Sequence, residues 1–170
     1  MAKRIIAIGG EPATGKTSLM RGVLKNFTDL KKFKYKLVRG YYSPAENVYI
    51  IGIYNKELFS GTDKLSMAVQ PSFIEFLPKT KNAIVIFEGD RLFNQSLFEK
   101  VKCDIYILQA DEQIKHQRHI DRKDSQDQKF LKAKQTKIKN IKNKNNFELL
   151  INNSHRDLQK NIKKILKKLK

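Results

Sequence analysis

The residues 4-RIIAIGGEPATGKTS-18 constrain the fold more than any other stretch of the chain. The apolar run Arg4–Ile8 reads as a strand buried on both faces. It stops at paired glycines, and Lys16–Phe27 follows with Leu19, Val23 and Leu24 on one face of a helix. Between the two, Gly10-x-x-x-x-Gly15-Lys16-Thr17 satisfies the pattern of a phosphate-binding loop. Glycines permit backbone angles that aim successive N–H groups at one anion, and the helix adds its positive N-terminal end. The residues expected around the phosphates are Gly10, Ala13, Thr14, Gly15, Lys16, Thr17 and Ser18. Lys16 would reach the β- and γ-phosphates and the Thr17 hydroxyl would bind Mg²⁺, so ATP and Mg²⁺ are the expected cofactors. Pro12 restricts how the loop flexes.

The remaining sequence alternates strand and helix patterns. Strands are expected at Tyr35–Arg39, Val48–Tyr54, Ala83–Phe87, Asp104–Leu108 and Phe147–Ile151, with a Ser-Pro turn inside Tyr41–Asn47. Helical patterns fall around Phe73–Leu77, near Asn94–Lys100 and at Asp157–Leu169. A long polar helix begins near Asp111, with acids in its first turn and room for a break before Ile141. Such alternation implies an α/β fold around a mainly parallel sheet. With the loop after the first strand, the expectation is a three-layer P-loop NTPase fold in one domain over residues 1–170. A chain of 170 residues suits one domain.

A second acid should stand at the end of a neighbouring strand to assist the metal. Glu88 and Asp90 follow the AIVIF strand two residues apart, on the side an extended chain would share. Glu88 is the favoured acid and Asp90 its alternate; an ordinary solvated turn is the plain structural explanation. Transfer to a hydroxyl also needs a carboxylate near that hydroxyl. Asp63, in the segment 58-LFSGTDKLSMAVQP-71, is the candidate, and capping a helix at Lys64–Ala68 would explain it equally well. Arg118 and Arg122 lie four apart, hence on one helical face, where guanidinium groups suit a transferring phosphoryl group.

The order of phosphate loop, acceptor segment, acidic strand end, arginine-bearing helix, then strand with Asn152-Asn153 and a closing helix resembles the small P-loop kinases of the nucleotide and polynucleotide kinase group. In that group the arginine helix folds over the triphosphate as a helical lid, and the resemblance implies such a lid at about 111–144 with Arg118 and Arg122 on it. It also implies an adenine contact for Asn152. The wording SGTDKLSMAVQP, EGDRLF and DSQDQKFLKAKQTKIKNI is similar to phage-encoded kinases that phosphorylate 5-hydroxymethyluracil in DNA during hypermodification. That likeness implies transfer to a hydroxymethyl group on a base within DNA.

Charge points the same way. Lys and Arg number 35 against 17 Asp and Glu, a net +18 that attracts polyanions. Lys129, Lys132, Lys134, Lys137, Lys139, Lys142 and Lys144 form a run without an acid, which a small substrate does not require and a phosphate backbone would. DNA is therefore the expected partner; a solvated helix face is the rival explanation. Tyr41 and Tyr42 are candidates for stacking on a base, or simply core. No apolar run approaches the roughly 18 residues of a membrane span, and MAKRIIAIGG lacks the form of a signal peptide. Cys103 is the sole cysteine, so no internal disulfide forms and a cytoplasmic setting is expected, that of the host if phage-encoded. A GTPase is disfavoured, because Asn143-Lys144-Asn145-Asn146 lacks the acid of the guanine motif. The alternatives kept open are a deoxynucleoside monophosphate kinase and a nucleic-acid-binding P-loop ATPase.

Overall fold

A computed structural model of the chain describes residues 1–56 and 60–170. The fold is α/β. A seven-stranded sheet runs in the order β2-β3-β4-β5-β1-β6-β7. Its strands are β1 (Arg4–Gly10), β2 (Lys31–Tyr35), β3 (Val38–Ser43), β4 (Val48–Ile51), β5 (Ile84–Glu88), β6 (Asp104–Gln109) and β7 (Glu148–Ile151). From β4 through β5, β1 and β6 to β7 every pairing is parallel, while β2 and β3 form an antiparallel hairpin on the β4 edge.

Helices cover both faces, and the strand pattern explains why. In β1, Ile5 and Ala7 belong to one core cluster and Ile6 and Ile8 to the other, as the twofold alternation of a strand requires. The first cluster is closed by Phe73 of α2 (Val69–Phe76), Leu97 of α3 (Gln95–Phe98) and Ile138 and Ile141 of α5 (Gln128–Lys144). The second is closed by Leu19, Met20 and Val23 of α1 (Lys16–Leu24) and Ile162 and Ile165 of α6 (His155–Lys168). A sheet buried on both faces reads as continuous apolar runs, the character of IVIF in β5.

The polar helix after β6 is two helices, α4 (Glu112–Asp121) and α5, separated by residues 122–127 with Lys123 at φ 53°. One expectation fails. Tyr35–Arg39 is not a strand but the tip of the β2–β3 hairpin: Lys36 takes φ 50°, and strands leave on either side. The turn expected inside Tyr41–Asn47 is present at residues 44–47, and Tyr41–Ser43 belong to β3. The lysines of KKFKY mask the alternation of Phe33 and Tyr35, which pack onto Phe76. Among the described residues no helix is long and apolar enough to cross a membrane.

Candidate active site

β1 delivers the chain to the sheet's carboxyl edge, between β5 and β6, where open α/β sheets bind ligands. Three residues of the loop that follows have left-handed or otherwise positive φ: Gly10 (147°), Ala13 (62°) and Gly15 (94°). Two of them also need the space. A Cβ on Gly10 would lie 2.5 Å from the Leu108 carbonyl of β6, and one on Gly15 would lie 2.3 Å from Asn152 Nδ2. Ala13 holds this conformation with a side chain, at a cost on the order of 1 kcal/mol, the kind of strain that concentrates at functional sites.

The loop curls around Lys16. Its ammonium donates to the carbonyls of Gly10 (2.9 Å) and Glu11 (2.8 Å), while Thr14 Oγ1 donates to the Glu11 carbonyl at 2.8 Å. Burial pulls the Lys16 pKa below its ordinary value; Glu88, Asp90 and Asp63 oppose that pull. An ammonium held by burial among carbonyls and facing three carboxylates is well placed to exchange those partners for an anion.

Glu88 ends β5 directly beside β1, in register with Ile8. It is 1% exposed. One oxygen, Oε1, accepts long hydrogen bonds from the Thr17 hydroxyl (3.5 Å) and the Tyr54 hydroxyl (3.4 Å). Burial pushes its carboxyl up to about 7, with Asp63 adding to the rise and Lys16 opposing it. Gly61, at φ 75°, brings its backbone so close that a Cβ there would meet Oε1 at 2.1 Å. Tyr54 is shifted well upward by its own burial and by Glu88, so it remains a donor.

Asp63 sits in the 3₁₀ turn Thr62–Lys64 and accepts the Asp90 amide at 2.9 Å through Oδ1. Burial and the nearby Asp90 charge raise its pKa. Asp90 behaves oppositely: burial alone would raise it, but ion pairs to Lys134 and to Lys137 (3.3 Å) hold it below the usual carboxylate range. Lys16, Thr17, Asp63, Glu88 and Asp90 all line one cavity, with Arg122 at the end of α4 and Lys134 of α5 supplying further positive charge. Of the acceptor segment, Leu58 and Phe59 lie outside the described residues.

The two arginines part company. Arg122 lines the cavity, whereas Arg118 does not. Arg118 instead donates to the carbonyls of Ala13 (3.0 Å) and Asn152 (2.8 Å), bridging the loop and the end of β7. Asn152 completes that brace by donating its Nδ2 to the Thr14 carbonyl at 2.8 Å. Among the described residues its Oδ1 is buried without a hydrogen-bond partner. Ser18 is exposed on the first turn of α1, outside the cavity.

No protein-family model matches the chain, and no curated protein matches it. Among the described residues no three His, Cys, Asp or Glu side chains gather as a metal site. A divalent ion here would therefore draw its oxygens from Thr17 and from phosphate, with Glu88 within reach of Thr17. The positive-φ loop, the half-buried Lys16 ammonium and the Thr17–Glu88 hydroxyl–carboxylate pair fit a magnesium–triphosphate.

Sequence reasoning missed Tyr54, Gly61 and Gln126, and it read Lys134 only as part of a run facing DNA, whereas the side chain lines the cavity and pairs with Asp90. Tyr54 was legible in principle, since a residue just past a strand that pairs with β5 must lie near Glu88. Gln126, whose Oε1 is buried without a partner among the described residues, lines the cavity from the α4–α5 connection, which no local pattern reveals.

Proposed function

We propose that the chain is a Mg²⁺- and ATP-dependent phosphotransferase with the P-loop NTPase fold, acting on a hydroxyl in DNA. The hydroxymethyl group of 5-hydroxymethyluracil is the favoured acceptor. The observation that carries the reading is the convergence of Asp63 and Glu88 with Lys16 and Thr17 on one cavity, with Arg122 on its lid side. The parallel order β4-β5-β1-β6-β7, with the phosphate loop after β1, supports the fold assignment.

In this reading Lys16 and the loop amides hold the β- and γ-phosphates, and Thr17 with Glu88 holds the metal side. Asp63 accepts the proton of the acceptor hydroxyl as its oxygen bonds to the γ-phosphorus and the bond to the ADP oxygen breaks. Arg122 neutralises charge on the phosphoryl group in flight. Such catalysis is positioning and preorganised charge, with no covalent step on the protein. Arg118 and Asn152 hold the loop in shape from behind.

The test is ADP formation with three acceptors: deoxynucleoside monophosphates, unmodified DNA and DNA containing 5-hydroxymethyluracil. ADP formation that depends on the last is expected. An equal rate with no acceptor marks an ATPase, and a rate driven by monophosphates marks a nucleotide kinase; either outcome overturns the proposal.

A further inference from the structure

The β2–β3 hairpin carries a feature that the catalytic cavity does not explain. The register pairs Lys32 with Tyr41 and Lys34 with Arg39, so these four side chains share one face of the hairpin. They line a groove that continues to Tyr54 and Asn55. Lys34 and Arg39 stand directly opposite each other, a like-charge arrangement that destabilises a strand pair. Among the described residues neither they nor Lys32 forms an ion pair. Lysine on an edge strand is a common guard against unwanted strand pairing. That role accounts for Lys32 and Lys34 on β2, but not for Arg39, which lies on β3 inside the sheet.

The groove is joined to the cavity at two points. Tyr54 lines the groove and donates its hydroxyl to Glu88 Oε1 at 3.4 Å. Arg21 donates both to the Asn55 carbonyl (2.6 Å) at the groove's end and to Ser60 Oγ (3.1 Å) in the cavity wall. Tyr41 meets Tyr54 between them, with ring centroids 6.5 Å apart. By contrast, the lysine run on α5 is partly engaged: Lys134 and Lys137 pair with Asp90, and Lys142 donates to Gln109.

We propose that this groove is the path by which a single-stranded nucleic acid reaches the site, its phosphates on Lys32, Lys34 and Arg39 and a base beside the Tyr41–Tyr54 pair. Lys32 and Lys34 stand two residues apart, roughly 7 Å along the strand, a spacing that suits successive phosphates of an extended chain. An aromatic next to a row of cations is the usual composition of a single-strand platform, because every base offers a face to stack. The inference rests on the DNA-acceptor reading and names where that DNA lies.

The test uses a fluorescent oligodeoxythymidine of about 15 nucleotides and anisotropy over a salt series. The proteins compared are the wild type, the hairpin triple variant Lys32→Gln/Lys34→Gln/Arg39→Gln, and a comparator, Lys132→Gln/Lys139→Gln/Lys144→Gln, which removes equal charge from α5. Each phosphate contact contributes about 0.7 to the log–log salt slope for a single strand, so the hairpin variant should lose about 2 from it. Its affinity should fall at least tenfold, while the comparator keeps the wild-type slope and a fluorescent ATP analogue binds all three proteins alike. No binding by the wild type, equal losses in the two variants, an unchanged hairpin variant or a preference for duplex of the same length each overturns the proposal. Failure of the kinase reading looks different: the salt slope responds as described, yet no phosphate reaches DNA. If instead the hairpin variant phosphorylates DNA at the wild-type kcat/KM, the path is wrong and the kinase reading stands.

Discussion

Glu88→Gln should stabilise the nucleotide-free protein at alkaline pH and have little effect on stability in acid. The Glu88 carboxyl is buried and its pKa is raised from 4.5 to about 7, burial being the first cause. Between those values the folded protein keeps a proton that the unfolded chain has released. Folding is therefore weakened as pH rises through this window, and the deficit stays constant above it. At about 1.4 kcal/mol for each tenfold change in proton affinity, the full deficit is about 3 kcal/mol. Gln offers the same carbonyl acceptor to Tyr54 and Thr17 and cannot ionise. The gap in stability should be small at about pH 5, widen most steeply up to about pH 7, and reach about 3 kcal/mol by about pH 8. For a chain of this size that is roughly 6–12 °C in Tm. The assay is thermal unfolding by circular dichroism in metal- and nucleotide-free buffer across that range, repeated with urea. A gap independent of pH, or a wild type more stable than the variant at alkaline pH, would refute the reasoning. The same substitution removes the negative charge beside Thr17 and should lower Mg²⁺-supported transfer, an exchange of stability for activity.

Other substitutions separate the roles assigned to the cavity. Lys16→Ala should abolish transfer in a labelled-phosphate assay while DNA binding by anisotropy stays within about twofold; surviving transfer would remove the phosphate loop from the mechanism. Asp63→Asn keeps an oxygen for the Asp90 amide and should lower kcat about a hundredfold with little change in KM for ATP; an unchanged kcat would leave Asp63 a brace for its turn. Arg122→Ala should act chiefly on kcat. Arg118→Ala, which loses the bonds to the Ala13 and Asn152 carbonyls, should lower Tm and raise KM for ATP, and steady-state kinetics with a melting curve distinguishes the two.

What the sequence made legible was local. The apolar run, the spaced glycines and the amphipathic helix lie within one strand–loop–helix, so the alternation at residues 4–24 could be read directly. Glu88 was visible because it terminates an apolar strand, and parallel register then sets it beside Ile8. The β2–β3 hairpin was not visible, since lysines interrupt its apolar alternation and its turn at Lys36 uses a positive φ without glycine. Helical spacing put Arg118 and Arg122 on one face, yet reach divides them: one meets backbone carbonyls and the other faces the cavity. Gly61 against Glu88, and the lysines of α5 against Asp90, join segments far apart in the chain that no short pattern connects.

The central claim is that this site moves the γ-phosphate of ATP onto a hydroxyl in DNA. Its most direct test incubates the protein with γ-labelled ATP, Mg²⁺ and DNA containing 5-hydroxymethyluracil, then digests the DNA to nucleosides and locates the label. The account predicts label on the hydroxymethyl oxygen, lost with Lys16→Ala and strongly reduced with Asp63→Asn. Label found only as inorganic phosphate, or only on free mononucleotides, would contradict it.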